Sequence, residues 1–277
     1  MPYTLDLSGA RAKVVRAIMH IEDLRDRIRQ AGHPDPDVIP LRREYDREER
    51  AIIFHIEKMV EVADDWGLIA GDAIHNLRSA LDHLAWQLAL HHFNGVEPQK
   101  KSIIKDIQFP IVADAVNWPG HPHRKHVSPA DAAKLEKLQP FYISAPVSGG
   151  RHFLEGLAEF SNADKHRTVQ LTYTVVGNFS IVGPARSDFT DCVPAIIKRG
   201  SAAGSIVFQH RKAGKSPKPG DEVARIPVFA IGPNPDIQVK ARATGFVGVR
   251  DNWDIVPTLD YFARGVSGIL CHFDPSP

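Results

Sequence analysis

Cysteine is nearly missing from this chain: Cys192 and Cys271 are the only two in 277 residues. They are too few and too far apart for a disulfide framework or a four-cysteine zinc site, so a reducing cytoplasm is the expected home. Net charge is missing as well. With 34 basic and 33 acidic side chains the formal balance is +1, and no global field draws the chain to nucleic acid or to an anionic membrane; such binding must come from a local patch. No segment approaches the ~20 consecutive apolar residues of a membrane span. The opening Met1-Pro2-Tyr3-Thr4-Leu5-Asp6-Leu7 has neither the basic start nor the apolar run of a signal peptide. A Gly-x-Ser-x-Gly elbow and a Gly-x-Gly-x-x-Gly nucleotide loop are also lacking, which disfavours the common hydrolases and dehydrogenases. Gly214-Lys215-Ser216 only looks like the end of a phosphate loop, because Gln209 stands where its first glycine belongs and Pro217 blocks the helix that must follow.

What is present is ample apolar material, 43% of residues, enough for a packed core in one large domain or two ordinary ones. From a cap at Ser8, residues Val14, Val15, Ile18, Ile21, Leu24 and Ile28 recur at helical spacing until Gly32 and Pro34 stop the helix. Ala51–Val60 instead alternates with period two and is β-branched, predicting a strand hairpinned with Leu41–Tyr45. A long helix is expected from about Trp66 to His92, capped by Asp64 or Asp65, with Ile69, Ala73, Leu77, Leu81, Leu84 and Leu88 inward. Residues 94–128 read as a long surface loop broken by a short Ile107–Val112 piece. Helices follow at Pro129–Leu138 and Gly150–Ala163. Beyond Thr168 come the runs Val169–Val176, Phe179–Val182, Ala195–Lys198, Ser205–His210, Glu222–Ala230 and Ile237–Val249, separated by turn residues in the rhythm of an antiparallel sheet. A terminal helix over Ile255–Phe273 is expected to pack across that sheet. The fold class is therefore α+β: an N-terminal helical bundle with a small hairpin, then an antiparallel β-sheet and a C-terminal helix. The division is 1–167 and 168–277, or one continuous domain.

One stretch carries most of the chemistry. Residues 71–83 read Gly71-Asp72-Ala73-Ile74-His75-Asn76-Leu77-Arg78-Ser79-Ala80-Leu81-Asp82-His83. On a helix, Asp72, Asn76, Ser79, His83 and Gln87 form one polar stripe, with Arg78 roughly 140° around from His83 and one turn before Asp82. Arg78–Asp82 is thus an ordinary intrahelical ion pair, and a carboxylate that holds an arginine is also a common way of orienting one. An arginine can clamp an anion, and a histidine moves protons near neutral pH.

Arg78-Ser79-Ala80-Leu81-Asp82-His83 resembles the Arg-x4–6-His motif of HEPN-type proteins. The longer string is also similar to one found in uncharacterised bacterial proteins. The HEPN resemblance implies a metal-independent ribonuclease of the toxin–antitoxin and phage-defence kind, working as a homodimer and without cofactor. In it Arg78 and His83 would be catalytic, with Asn76, Ser79 and Asp82 supporting them. RNA is then the implied partner, together with a cognate inhibitor protein. Ser79 stands where catalytic members usually carry Asn, Asp or His. The alternative is a non-catalytic structural or protein-interaction module.

A second cluster, Asn162-Ala163-Asp164-Lys165-His166-Arg167, stands where a helix ends. Asp164, Lys165, His166 and Arg167 are candidate phosphate contacts, although cations in a last turn also complement the helix dipole. Antiparallel packing of the two helices would bring Asp164 and His166 opposite Asn76 and His83. His121-Pro122-His123-Arg124-Lys125-His126, with His91 and His92, has metal-type ligands, but its proline and adjacent cations point to a solvated loop brushing a phosphate backbone. Arg211, Lys212, Lys215 and Lys218 read as a solvated hairpin tip.

Overall fold

The computed structural model describes residues 3–31, 40–48, 51–58, 61–142, 152–166, 169, 171–182, 205–209, 218–227, 238–249 and 253–274. It is mixed α and β, and by its internal contacts it divides into two units. One comprises Met1–Arg25, Ala63–Gln170 and Ile255–Pro277; the other comprises Asp26–Val62 and Leu171–Asp254. This is more interleaved than a single division at 167/168, because the hairpin and the C-terminal helix each find partners far away in sequence.

The first unit is helical. It holds α1 (Ser8–Ala31) up to Arg25, α2 (Asp64–His92), α3 (Lys101–Asp106), α4 (Pro129–Lys137), α5 (Phe153–His166) and α6 (Ile255–Phe273). The centre is α2, whose Ile74, Leu77, Leu81, Leu84 and Leu88 are fully buried. Its far end closes in a Schellman motif: Asn94 takes the left-handed conformation at φ 53°, Gly95 N–H donates to Leu90 O at 2.8 Å, and Asn94 N–H donates to His91 O at 3.3 Å. The C-terminal helix corrects the expectation made for it. Its buried side, including Leu259, Phe262 and Val266, belongs to the helical unit with α2 and α5 rather than to a sheet. Periodicity shows that a helix has an apolar face but not which apolar surface will cover it.

The inward face of α1 is Ala10, Val14, Ala17, Ile21 and Leu24, while Val15 and Ile18, expected inside, are exposed. Arg25 donates through Nη2 to both carboxylate oxygens of Asp260 on α6, at 2.9 and 2.7 Å, which sets the rotation of α1. Close contact also fixes Gly265, where a Cβ would overlap the ring of Phe153. Gly265→Ala is therefore expected to destabilise the protein by about 1–3 kcal/mol despite a gain in helix propensity. Chemical denaturation checks this, and a more stable variant would show that the ring moves freely.

The second unit is built on antiparallel pairing. The hairpin is β1 (Leu41–Asp46) with β2 (Ala51–Ile56), in register from Leu41↔Ile56 to Asp46↔Ala51. A lone hairpin is marginal in water. Here β5 (Glu222–Pro227) joins β2, giving the order β1-β2-β5. The remaining described strands form a second sheet, β4-β3-β6-β7, from β3 (Thr172–Val182), β4 (Ser205–Gln209), β6 (Gln238–Val249) and β7 (Trp253–Asp254). Of the runs beyond Thr168 read from the sequence as one sheet, β5 instead completes the sheet of the hairpin. Gly177-Asn178, read there as a break between two runs, is strand interior because it pairs with β4 and β6 on its two sides. The Ala195–Lys198 run lies outside the described residues. Among those described, no helix is long and apolar enough to cross a membrane.

Candidate functional site

Three groupings of polar side chains surround α2. The first is made by Arg78 and Asp82, one turn apart. Arg78 Nη2 donates to Asp82 Oδ1 at 3.1 Å and to the carbonyl of Phe109 at 2.9 Å, and the N–H of Phe109 donates to the same Asp82 oxygen at 2.9 Å. The pair therefore grips both polar atoms of one residue's backbone, with the Phe109 side chain buried beside it. The arginine side chain retains 17% of its exposure and the aspartate 37%. Asp82→Ala should cost about 1–3 kcal/mol, because it strips an acceptor from a backbone donor and from a guanidinium together. Asp82→Asn, which keeps an acceptor oxygen, should cost less; urea titration of both variants beside wild type checks the order.

The second grouping is the polar stripe. Asn76 Nδ2 donates to Asp72 O at 2.8 Å, Ser79 is half-buried, and His83 is exposed. The His83 ring lies over the start of α1, where a Cβ on Gly9 would stand 3.0 Å from its Nδ1. One turn on, Gln87 Oε1 accepts from Tyr3 Oη at 2.7 Å and from Asp6 N–H at 3.0 Å. Arg78 thus faces the Phe109 segment while His83 faces the N-terminal one, as their angular separation on the helix demands.

The third grouping lies at the crossing of α2 and α5. The carboxylate of Asp164 sits directly on the backbone of Gly71, where any Cβ would collide with it. Burial and then Asp72 push the Asp164 carboxyl above its ordinary range, against the opposing effect of His75. So Asp164 comes to α2 one turn before Asn76, beside Asp72 and His75. Lys165 and His166 belong to α5, but their side chains, like all of Arg167, lie outside the described residues, as does any His83–His166 separation. His75 was not singled out from the sequence. Its signal was Gly71, since a glycine inside a strongly periodic helix marks a close approach.

The 94–128 segment is more structured than a solvated loop. It carries α3, a 3₁₀ turn at Ala115–Asn117 and another at Pro122–His126. His123 is 0% exposed and Trp118 3%. His126 Nε2 lies 3.4 Å from Asp106 Oδ2, and His91 Nδ1 lies 3.1 Å from Asp131 Oδ2. Among the described residues, no three His, Cys, Asp or Glu side chains are arranged to hold a metal ion.

Burial and the neighbouring His121 and His126 push His123 down to about 4 from its ordinary 6.5. Burial and then Arg78 lower His121, with Asp106 opposing, and burial lowers His152. A histidine held neutral in the fold takes up its proton first in the unfolded chain, so its contribution is intact above 6.5 and is lost as pH falls toward 4. His123 alone predicts a loss of roughly 3 kcal/mol over that window. Urea titrations at successive pH values test this; a flat profile in wild type identical to that of His123→Phe would refute it.

Compared with protein-family models, with curated proteins and with solved structures, the chain matches none. Its functional reading therefore stands on its own residues.

Proposed function

We propose that this protein binds RNA and cleaves it without a metal ion, as a HEPN-like endoribonuclease acting as a homodimer in a toxin or phage-defence setting. The observation that supports this most is that Arg78 and His83 stand on one uninterrupted helix, α2, inside a helical unit, with His83 exposed. In this reading His83 takes the ribose 2′-proton and later returns one to the leaving oxygen. Arg78, tethered through Nη2 among the described residues, turns its remaining guanidinium nitrogens to the scissile phosphate and offsets the charge that grows there. Asn76, Ser79 and Asp82 support the pair, and Lys165, His166 and Arg167 hold the adjacent backbone. A cognate inhibitor would cover His83.

A second reading, a non-catalytic module, is favoured by one observation: Arg78 and Asp82 are already committed to the backbone of Phe109. Labelled single-stranded RNA, incubated with purified protein in excess chelator, separates the two. Cleavage products ending in a 2′,3′-cyclic phosphate are expected. Binding without cleavage would establish the module instead, and neither would remove RNA from the account.

A further inference from the structure

The 118–124 turn holds an imbalance of hydrogen-bonding groups that its own fold does not resolve. Trp118 Nε1, Arg124 Nε and both ring nitrogens of His123 are buried and have no hydrogen-bond partner among the described residues. Indole and guanidinium nitrogens can only donate, and a neutral imidazole donates once. His123 N–H donates to His121 Nδ1 at 3.3 Å, which leaves the proton of a neutral His121 on Nε2 as one more donor. Three buried donor groups thus outnumber one buried acceptor, the second nitrogen of His123. The groups are close together: His121 stacks on Trp118 with ring centroids 6.4 Å apart, and the Arg124 guanidinium lies 5.4 Å from the same ring centroid. Arg124 Nη1 is anchored on Pro119 O at 2.9 Å. Arg78 approaches from α2 closely enough to disfavour a charge on His121, while Asp106 on α3, near His126, opposes it.

We propose that Trp118, His121, His123 and Arg124, with Arg78 behind them, form a binding site for a phosphate group. A bound water brings as many donors as acceptors and leaves the surplus in place, whereas phosphate brings acceptors almost alone. Its charge also turns the repulsion between Arg78 and His121 into shared attraction. His121 and Arg124 are only partly buried, so the site reaches the surface at their edge. The site shares Arg78 with the proposed catalytic pair but not His83, and its test does not depend on RNA cleavage.

The probe is inorganic phosphate, added to the full-length protein at constant ionic strength with chloride as the control. The thermal midpoint should rise in a saturable way, and the His121 ring should titrate at higher pH by NMR. His123→Phe removes both orphaned nitrogens while keeping a flat ring. It should raise the midpoint in phosphate-free buffer and abolish the phosphate response, and Arg124→Gln should abolish that response as well. An oligoribonucleotide without terminal phosphates, added to wild type and to Arg124→Gln, distinguishes the source: a response lost in Arg124→Gln identifies a backbone phosphodiester, and no Arg124-dependent response identifies a free phosphate or a monoester. No saturable response in wild type to either probe would mean that buried water satisfies these groups and would overturn the proposal. A response that survives in both variants would overturn it equally.

Discussion

His83→Ala should abolish RNA cleavage, with a loss of about 10²–10⁴-fold, the range that one positioned proton-transfer group supplies. Folding should survive the change, because His83 is exposed. A wild-type thermal midpoint together with lost cleavage assigns the histidine to chemistry. Wild-type cleavage by the variant would end its catalytic role. Arg78→Lys should also impair cleavage, since a point charge cannot reproduce the planar fork. That variant also disturbs the hold on Phe109, so its stability must be measured beside its rate. A rate loss no larger than the unfolded fraction explains would assign Arg78 to architecture alone.

Leu81→Ala is the expected large effect on stability, about 2–5 kcal/mol. Leu81 is 0% exposed, as are Leu77, Leu84 and Leu88 on the same face. Truncation removes buried carbons and leaves a cavity that helices fixed on several sides close only in part. Chemical denaturation reads the change directly. A negligible shift would mean that this face repacks without cost, and the helical unit would need another centre.

How far the chain could be read beforehand varied with the range of the interaction. The helix over Asp64–His92 was visible because fourteen of its residues are buried in a repeating pattern that only this secondary structure aligns. The Leu41–Asp46 and Ala51–Ile56 hairpin was visible for the same local reason, period two with β-branching. The fate of Val15 and Ile18 was not. They match the helical period as well as Val14 and Ile21 do, and a partner on one side decides between them. The Arg78–Asp82 pair was legible from spacing, but its grip on Phe109 was not, since that residue lies 27 positions beyond Asp82 in a stretch with no periodic signal.

The amino-acid sequence by itself determined the α+β class, the positions of the hairpin and of the long and terminal helices, and the placing of Arg78 and His83 on separate faces of one helix. Each follows from interactions within a few residues, where helix and strand geometry leave little choice. The tertiary structure alone decided that β5 completes the hairpin's sheet, that α6 joins the helical unit, that Asp164 rests on Gly71 beside His75, and that the His123 ring is buried with no partner among the described residues. These are encounters between segments tens to hundreds of residues apart. Apolar surfaces of similar composition compete for one another there, and packing chooses among them by shape.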